Sequence, residues 1–185
     1  NDDLVERAIK NSRQDLLIYA AIINPAFILA PHHRIIADKL MDLRDNITNR
    51  LMIFLPPRSS KSLLSSIIFP SWCIGYNPSW HIMNVTYSGE LSKDFSREVR
   101  NIVASPEFSA IYPDVTLRQD SRSAGRWNTR QNGAFIAAGI TSGIAGRGAN
   151  LAIIDDPLSE QDAYSKAARD LVVRWYPSGL RTRLQ

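Results

Sequence analysis

Apolar positions along the chain fall into two rhythms. Helical spacing marks 1–20, 31–45, 61–76, 89–105 and 159–176. In 31–45 it gathers Ile35, Ile36, Leu40 and Leu43; in 89–105 it gathers Leu91, Phe95, Val99, Ile102 and Val103. Short continuous apolar runs read instead as buried strands: RLMIFL at 50–55, HIMNVTYS at 81–88, GAFIAAG at 133–139 and ANLAIIDDP at 149–157. Residues 23–31 form a proline-bounded connection. Ser159, followed by acids, caps the last helix. The order is helix, strand, helix, strand, helix, strand, strand, helix. Such alternation predicts an α/β fold with a mostly parallel central sheet flanked by helices, and ligands beyond the carboxyl ends of its strands. No internal repeat or low-complexity segment interrupts it.

Composition narrows the class. At 185 residues, 44% hydrophobic and 22% charged, the chain suits one sizeable globular domain or a large piece of one. No apolar run reaches the about 18 residues that span a bilayer, so no membrane partner is expected; Pro25, Pro31 and Pro70 break the longest runs. A first residue other than Met, with no signal-peptide pattern, leads us to expect a piece of a longer protein. The single Cys73 excludes an internal disulfide, fits a reducing compartment, and sits in an apolar helical stretch as a small buried residue. The net charge is +4. Stretches 117–131 and 169–185 each carry four arginines and one acid, which suits a polyanion partner or a solvated surface.

Two strand ends carry the chemistry. LPPRSSKS at 55–62 follows an apolar run and opens a helix, as a phosphate-binding loop G-x-x-x-x-G-K-[ST] does. Lys61 and Ser62 match its last two positions, whereas Leu55 and Ser60 replace its glycines. A triphosphate there would meet unpaired N–H groups, with Lys61 on its β- and γ-phosphates and Ser62 on Mg²⁺. Read alone, Lys61 is also compatible with an ordinary helix start. The second end is LAIIDDP, where Asp155 and Asp156 close an apolar run. Adjacent carboxylates there are costly unless they hold a cation or a network. One acid on a Mg²⁺ shell and the next polarising water would use them; a capping Asp-Asp-Pro turn would too.

Together these motifs suit a P-loop ATPase, and from about residue 30 onward the chain resembles the large terminase subunit of tailed bacteriophages, the ATPase that packages DNA into the procapsid. PPRSSKS is similar to that family's Walker A, and VTYSGELSKDFSREVRNIV to the strand and helix that follow it. GITSGIAGRGANLAIIDDP is similar to the approach to its Walker B. The stretch 160–185, with its Trp-Tyr and T-R-L, is similar to the continuation. The resemblance implies a P-loop NTPase of the ASCE/RecA-like class, with 1–48 a helical lead-in, 49–185 the ATPase core, and a nuclease domain beyond Gln185. It implies ATP and Mg²⁺ as cofactors. Pro57, Arg58, Ser59, Ser60, Lys61 and Ser62 would line the nucleotide, with Arg58 sensing the γ-phosphate. Ser62 and Asp155 would hold Mg²⁺, and Asp156 would be the catalytic acid, with Glu160 as alternative. Arg147 would be a finger on a neighbouring subunit's ATP, or a loop cation.

The family's upstream adenine-contacting glutamine is not evident. His33, with His32 and Arg34, is expected to border the base instead. The two histidines lack a third ligand at metal spacing. The expected partners are double-stranded DNA, the portal and procapsid, the small terminase subunit and further copies in a ring, all in the host cytoplasm. Arg118, Arg122, Arg126 and Arg130 are candidates for salt-dependent, sequence-independent DNA contacts. Two other functions remain open: another nucleic-acid motor such as a helicase, and a non-catalytic DNA-binding or assembly module.

Overall fold

The computed structural model of the chain describes residues 2–140, 142 and 148–184. The helix expected over 1–20 is two helices, α1 (Asp2–Ser12) and α2 (Leu16–Ile23). Asp15 divides them. Its carboxylate accepts the N–H groups of Leu17 and Ile18, which caps α2 and leaves no continuous helix through 13–15. Arg34 of α3 (Pro31–Arg44) then reaches Asp15 at 2.6 Å.

Residues 61–76 are helical as expected, but not uniformly. Lys61 and Ser62 begin the helix, Leu63–Ile68 is a π-helical turn, and α4 (Phe69–Tyr76) completes it. Pro70 explains the turn. It has no N–H to give one turn back, and its ring crowds the carbonyl there; the widened register absorbs the mismatch, with Phe69 N–H bonding to Leu64 O. The N-terminal helices share this helix's core. The Tyr19 hydroxyl lies 2.9 Å from Ser71 Oγ, Trp72 Nε1 donates to Ser12 O, and the Arg44 guanidinium covers the Trp72 ring at 4.1 Å. Cys73 lies fully buried among them.

The sheet comprises β1 (His81–Thr86), β2 (Leu117–Arg122), β3 (Arg126–Thr129), β4 (Ala134–Gly139) and β5 (Leu151–Ile154), in the order β2-β3-β4-β1-β5. Helices α5 (Gly89–Val103) and α6 (Pro106–Ile111) lie between β1 and β2 in the chain; α7 (Glu160–Ala163) and α8 (Lys166–Trp175) follow β5. Only β1/β4 and β1/β5 are parallel, whereas β2/β3 and β3/β4 are antiparallel. This mixed sheet overturns the expected mostly parallel P-loop NTPase architecture of the ASCE/RecA-like class. The reason is the link between β3 and β4. Residues 130–133 are far too few for a crossover, which takes a dozen residues or more, so the chain must turn back. Asn132, at φ 65°, makes that turn, and Gly133 packs where a Cβ would collide with the Pro78 carbonyl.

Residues 50–55 are a second correction: they form no strand. They are irregular, with Leu51, Ile53 and Leu55 against the core and Met52 and Phe54 exposed. The helix expected at 159–176 is likewise split, because the Ser165 hydroxyl takes the Ala168 N–H and starts α8 afresh.

Both faces of the sheet are covered. On one, Ile82, Trp127, Phe135 and Leu151 pack with Leu64, Ile68, Val99 and Val103; the Trp127 and Phe135 rings stack at 5.3 Å. On the other, Met83, Val85, Ile136 and Ala138 pack with Leu180, beneath Val172 and Trp175. Among the described residues no helix is long and apolar enough to cross a membrane.

Candidate functional site

Because β1, β4 and β5 are parallel, their carboxyl ends lie along one side of the sheet. The ladder runs one step past β5: Asp155 N–H donates to Val85 O at 2.9 Å, and Tyr87 N–H donates to Asp156 O at 3.1 Å. Backbone pairing therefore holds both aspartates in place independently of their side-chain contacts. Asp155 is 4% exposed, whereas the Asp156 side chain is 64% exposed. Asp156 has φ 43° although Pro157 follows, a place where extended backbone is strongly preferred. Strain of this kind persists only where the surroundings impose it.

Lys61 enters from the start of the 61–76 helix. Its Nζ lies 2.5 Å from Asp156 Oδ1 and 3.1 Å from Asp155 Oδ1. Ser66 donates its hydroxyl to the other Asp155 oxygen at 2.8 Å. The buried carboxylate is thus satisfied on both oxygens, as burial demands. Partial burial pushes the Lys61 ammonium toward deprotonation, but the hydrogen bonds and charges of Asp156 and Asp155 outweigh it and hold Lys61 above its usual range.

The loop before Lys61 achieves its shape without glycine. Arg58 and Ser60 adopt the left-handed conformation, at φ 62° and 60°. Ser60 stands at the second glycine position of the phosphate-loop pattern, and its backbone takes the conformation a glycine would supply there. Ser59 Oγ donates to Pro56 O. The carbonyl of Ser59 points at the start of α3, 3.2 Å from His32 Nε2 and 3.4 Å from His33 Nε2.

The structure brings Lys61, Asp155 and Asp156 together beside the loop of Pro57, Arg58, Ser59 and Ser60. Pro57 and Arg58 are exposed, and Ser62 is half-buried in the first helical turn. Ser66, one turn further on, binds Asp155. Sequence reasoning stopped at Ser62 and missed it, although the SLLSS run places its hydroxyl on the same side of the helix. His33 is buried at 3% exposure, with both ring nitrogens engaged within the protein, so its link to the site runs through Ser59. Burial, with His32 beside it, keeps its pKa below the usual histidine value against the pull of the Ser59 hydrogen bond. Glu160 opens α7 and is exposed. Arg147 lies outside the described residues, as does the side chain of Arg122. Arg118 is tied to Asp120, and Arg126 and Arg130 are exposed.

The donors around Lys61 are carboxylates and hydroxyls, a hard oxygen set that fits Mg²⁺ and not a soft metal. Both Asp155 oxygens are already bonded, so a cation here would take the place that Lys61 holds. Among the described residues no group of three or more His, Cys, Asp and Glu is arranged to hold a metal alone. In comparison with known proteins, no family model matches the chain, and no curated protein matches it significantly.

Proposed function

We propose that the Lys61–Asp155–Asp156 site binds and hydrolyses ATP, in a subunit of a motor that drives double-stranded viral DNA into a procapsid. The observation that supports this reading is the meeting of Lys61 with two strand-end aspartates, beside a loop with two left-handed residues. A helix start offers unpaired N–H groups and positive potential to a phosphate. Lys61 adds a full charge that its two acidic neighbours keep protonated.

A bound triphosphate would draw the Lys61 ammonium from the carboxylates to the phosphate oxygens. Asp156 is then free to orient water toward the γ-phosphorus and take its proton. The new P–O bond forms as the bridging bond to the β-phosphate breaks, giving ADP and inorganic phosphate. Ser66 keeps Asp155 in register throughout. When bound, Mg²⁺ supplies neutralisation of phosphate charge, with Asp155 and the Ser62 hydroxyl to hold it. Arg58 is the loop cation at the γ-phosphate, and Arg147 completes a neighbouring subunit's site.

The wider assignment belongs to the same proposal: a ring on the portal, with the small terminase subunit, in the host cytoplasm. It is supported by the terminase-like PPRSSKS and GRGANLAIIDDP stretches. Exposed Arg126 and Arg130 suit sequence-independent phosphate contacts. Nucleotide binding and ATP turnover, measured at high protein concentration with portal or procapsid present, test the reading. Lys61→Ala should lose both; unchanged nucleotide binding would overturn it. Mixing Arg147→Ala with Lys61→Ala subunits should restore turnover, and a co-assembled mixture without activity would remove Arg147 from the site.

A further inference from the structure

We propose that His32 and His33 act as positioning residues that hold the 56–60 loop open for phosphate, by pinning the Ser59 carbonyl so that the Ser60 N–H faces the ligand; this rests on the nucleotide reading above. The two imidazoles converge on one acceptor, with Nε2 atoms 3.2 and 3.4 Å from Ser59 O. For His33 the proton is placed by its other partner. Ala30 N–H donates to Nδ1 at 3.0 Å, so the neutral ring carries its hydrogen on Nε2 and donates it to Ser59. The rings brace one another at 4.0 Å between centroids, and Phe27 packs on His33 at 4.8 Å. The donor pair is therefore rigid and reaches the loop from beneath.

In a trans peptide the carbonyl and the following N–H point in opposite directions. Drawing Ser59 C=O toward α3 turns Ser60 N–H away from α3. Ser60 is left-handed and Lys61 starts the helix, a succession that curls consecutive N–H groups into an anion-binding concavity. Among the described residues no backbone carbonyl takes the N–H of Ser60 or Lys61. A glycine-based loop reaches this shape through backbone freedom. Here two histidines on a neighbouring helix impose it on serine.

The test uses serine-¹⁵N-labelled protein titrated with Mg²⁺-ATP, followed by calorimetry and amide spectra. Asparagine at position 33 can still accept from Ala30, and asparagine at either position is too short to reach Ser59; glutamine puts an amide N–H near the Nε2 position. In the wild type, and in His32→Gln/His33→Gln, the Ser60 amide resonance should shift on binding. In His32→Asn/His33→Asn, affinity should fall about tenfold and the Ser60 shift should vanish, with the thermal midpoint near that of the glutamine pair. Wild-type affinity in the asparagine pair would overturn the proposal. So would a Ser60 resonance that stays still while wild-type protein binds ATP, and that result is decisive even if the asparagine pair does not fold. A wild type that binds no ATP removes the nucleotide reading itself. Binding that is lost in Lys61→Ala but unchanged in the histidine variants removes only the clamp.

Discussion

Lys61 and Asp156 stand 95 residues apart in the chain and 2.5 Å apart in space, with the Lys61 ammonium also 3.1 Å from Asp155. The site is therefore closed on itself, its cation held by its own acids. The two ion pairs are unequal. Asp156 is well exposed, and such pairs contribute about 0–1 kcal/mol. Asp155 is buried, and removing its partner leaves a poorly solvated charge.

Lys61→Ala should accordingly destabilise the fold by about 2 kcal/mol, and Asp156→Asn by less than about 1 kcal/mol, although both should abolish ATP turnover. Urea unfolding beside a phosphate-release assay checks the pair. Equal stability losses in the two variants would contradict this ranking. The alkaline side has a defined sign. The folded-state pKa of Lys61 is raised, so its contribution is complete below 10.5 and is lost as pH climbs through the folded value. Lys61→Ala should remove that part of the alkaline decline.

Ser66→Ala should cost about 1–2 kcal/mol, because Asp155 Oδ2 loses its donor in a buried place. The loss should shrink in a Lys61→Ala/Ser66→Ala double variant, since both residues serve the same carboxylate. A thermodynamic cycle from chemical unfolding measures the coupling. Strict additivity would mean that Ser66 and Lys61 act separately.

Ser60→Gly should stabilise the chain by about 0.5–1 kcal/mol, since glycine adopts φ 60° without the steric penalty serine bears. Ser60→Val should destabilise by more than about 1 kcal/mol, because a β-branched residue is an outlier there. Opposite signs for the two substitutions in one unfolding assay are the expected signature.

Acid should weaken the fold through His33. Its pKa is lowered in the folded chain, so its contribution is present above 6.5 and is lost as pH falls through the folded value. Protonation also deprives Ala30 N–H of its acceptor. As pH falls below 6.5, His33→Gln should show a flatter stability curve than wild type. Parallel curves would mean that another group carries the acid response.

Helix α5 was legible because Phe95, Val99, Ile102 and Val103 keep one face, and that face meets the core. Strands β1 and β4 were legible as short, largely apolar runs covered on both sides, although Asn84 lies buried in the middle of β1. The β2–β3 hairpin was not, since LRQDSR has no apolar alternation and only Trp127 and Thr129 point inward from β3. Residues 50–55 misled for the opposite reason: RLMIFL is a continuous apolar run of strand length, yet Met52 and Phe54 are exposed and the segment joins no ladder. Lys61, Asp155 and Asp156 were readable as chemistry, because a cation and two acids next to apolar runs need partners. Ser66 and the histidine contacts to Ser59 were not, since they depend on where two helices cross a loop.

Cys73, the single cysteine of the chain, lies wholly inside the core on the helix that Lys61 begins, and burial drives its thiol far toward the protonated form. It is inert until the core opens. Its alkylation rate is therefore a built-in clock for opening of that helix, and a phosphate ligand gripping the helix's first turn should slow the clock in proportion to its occupancy.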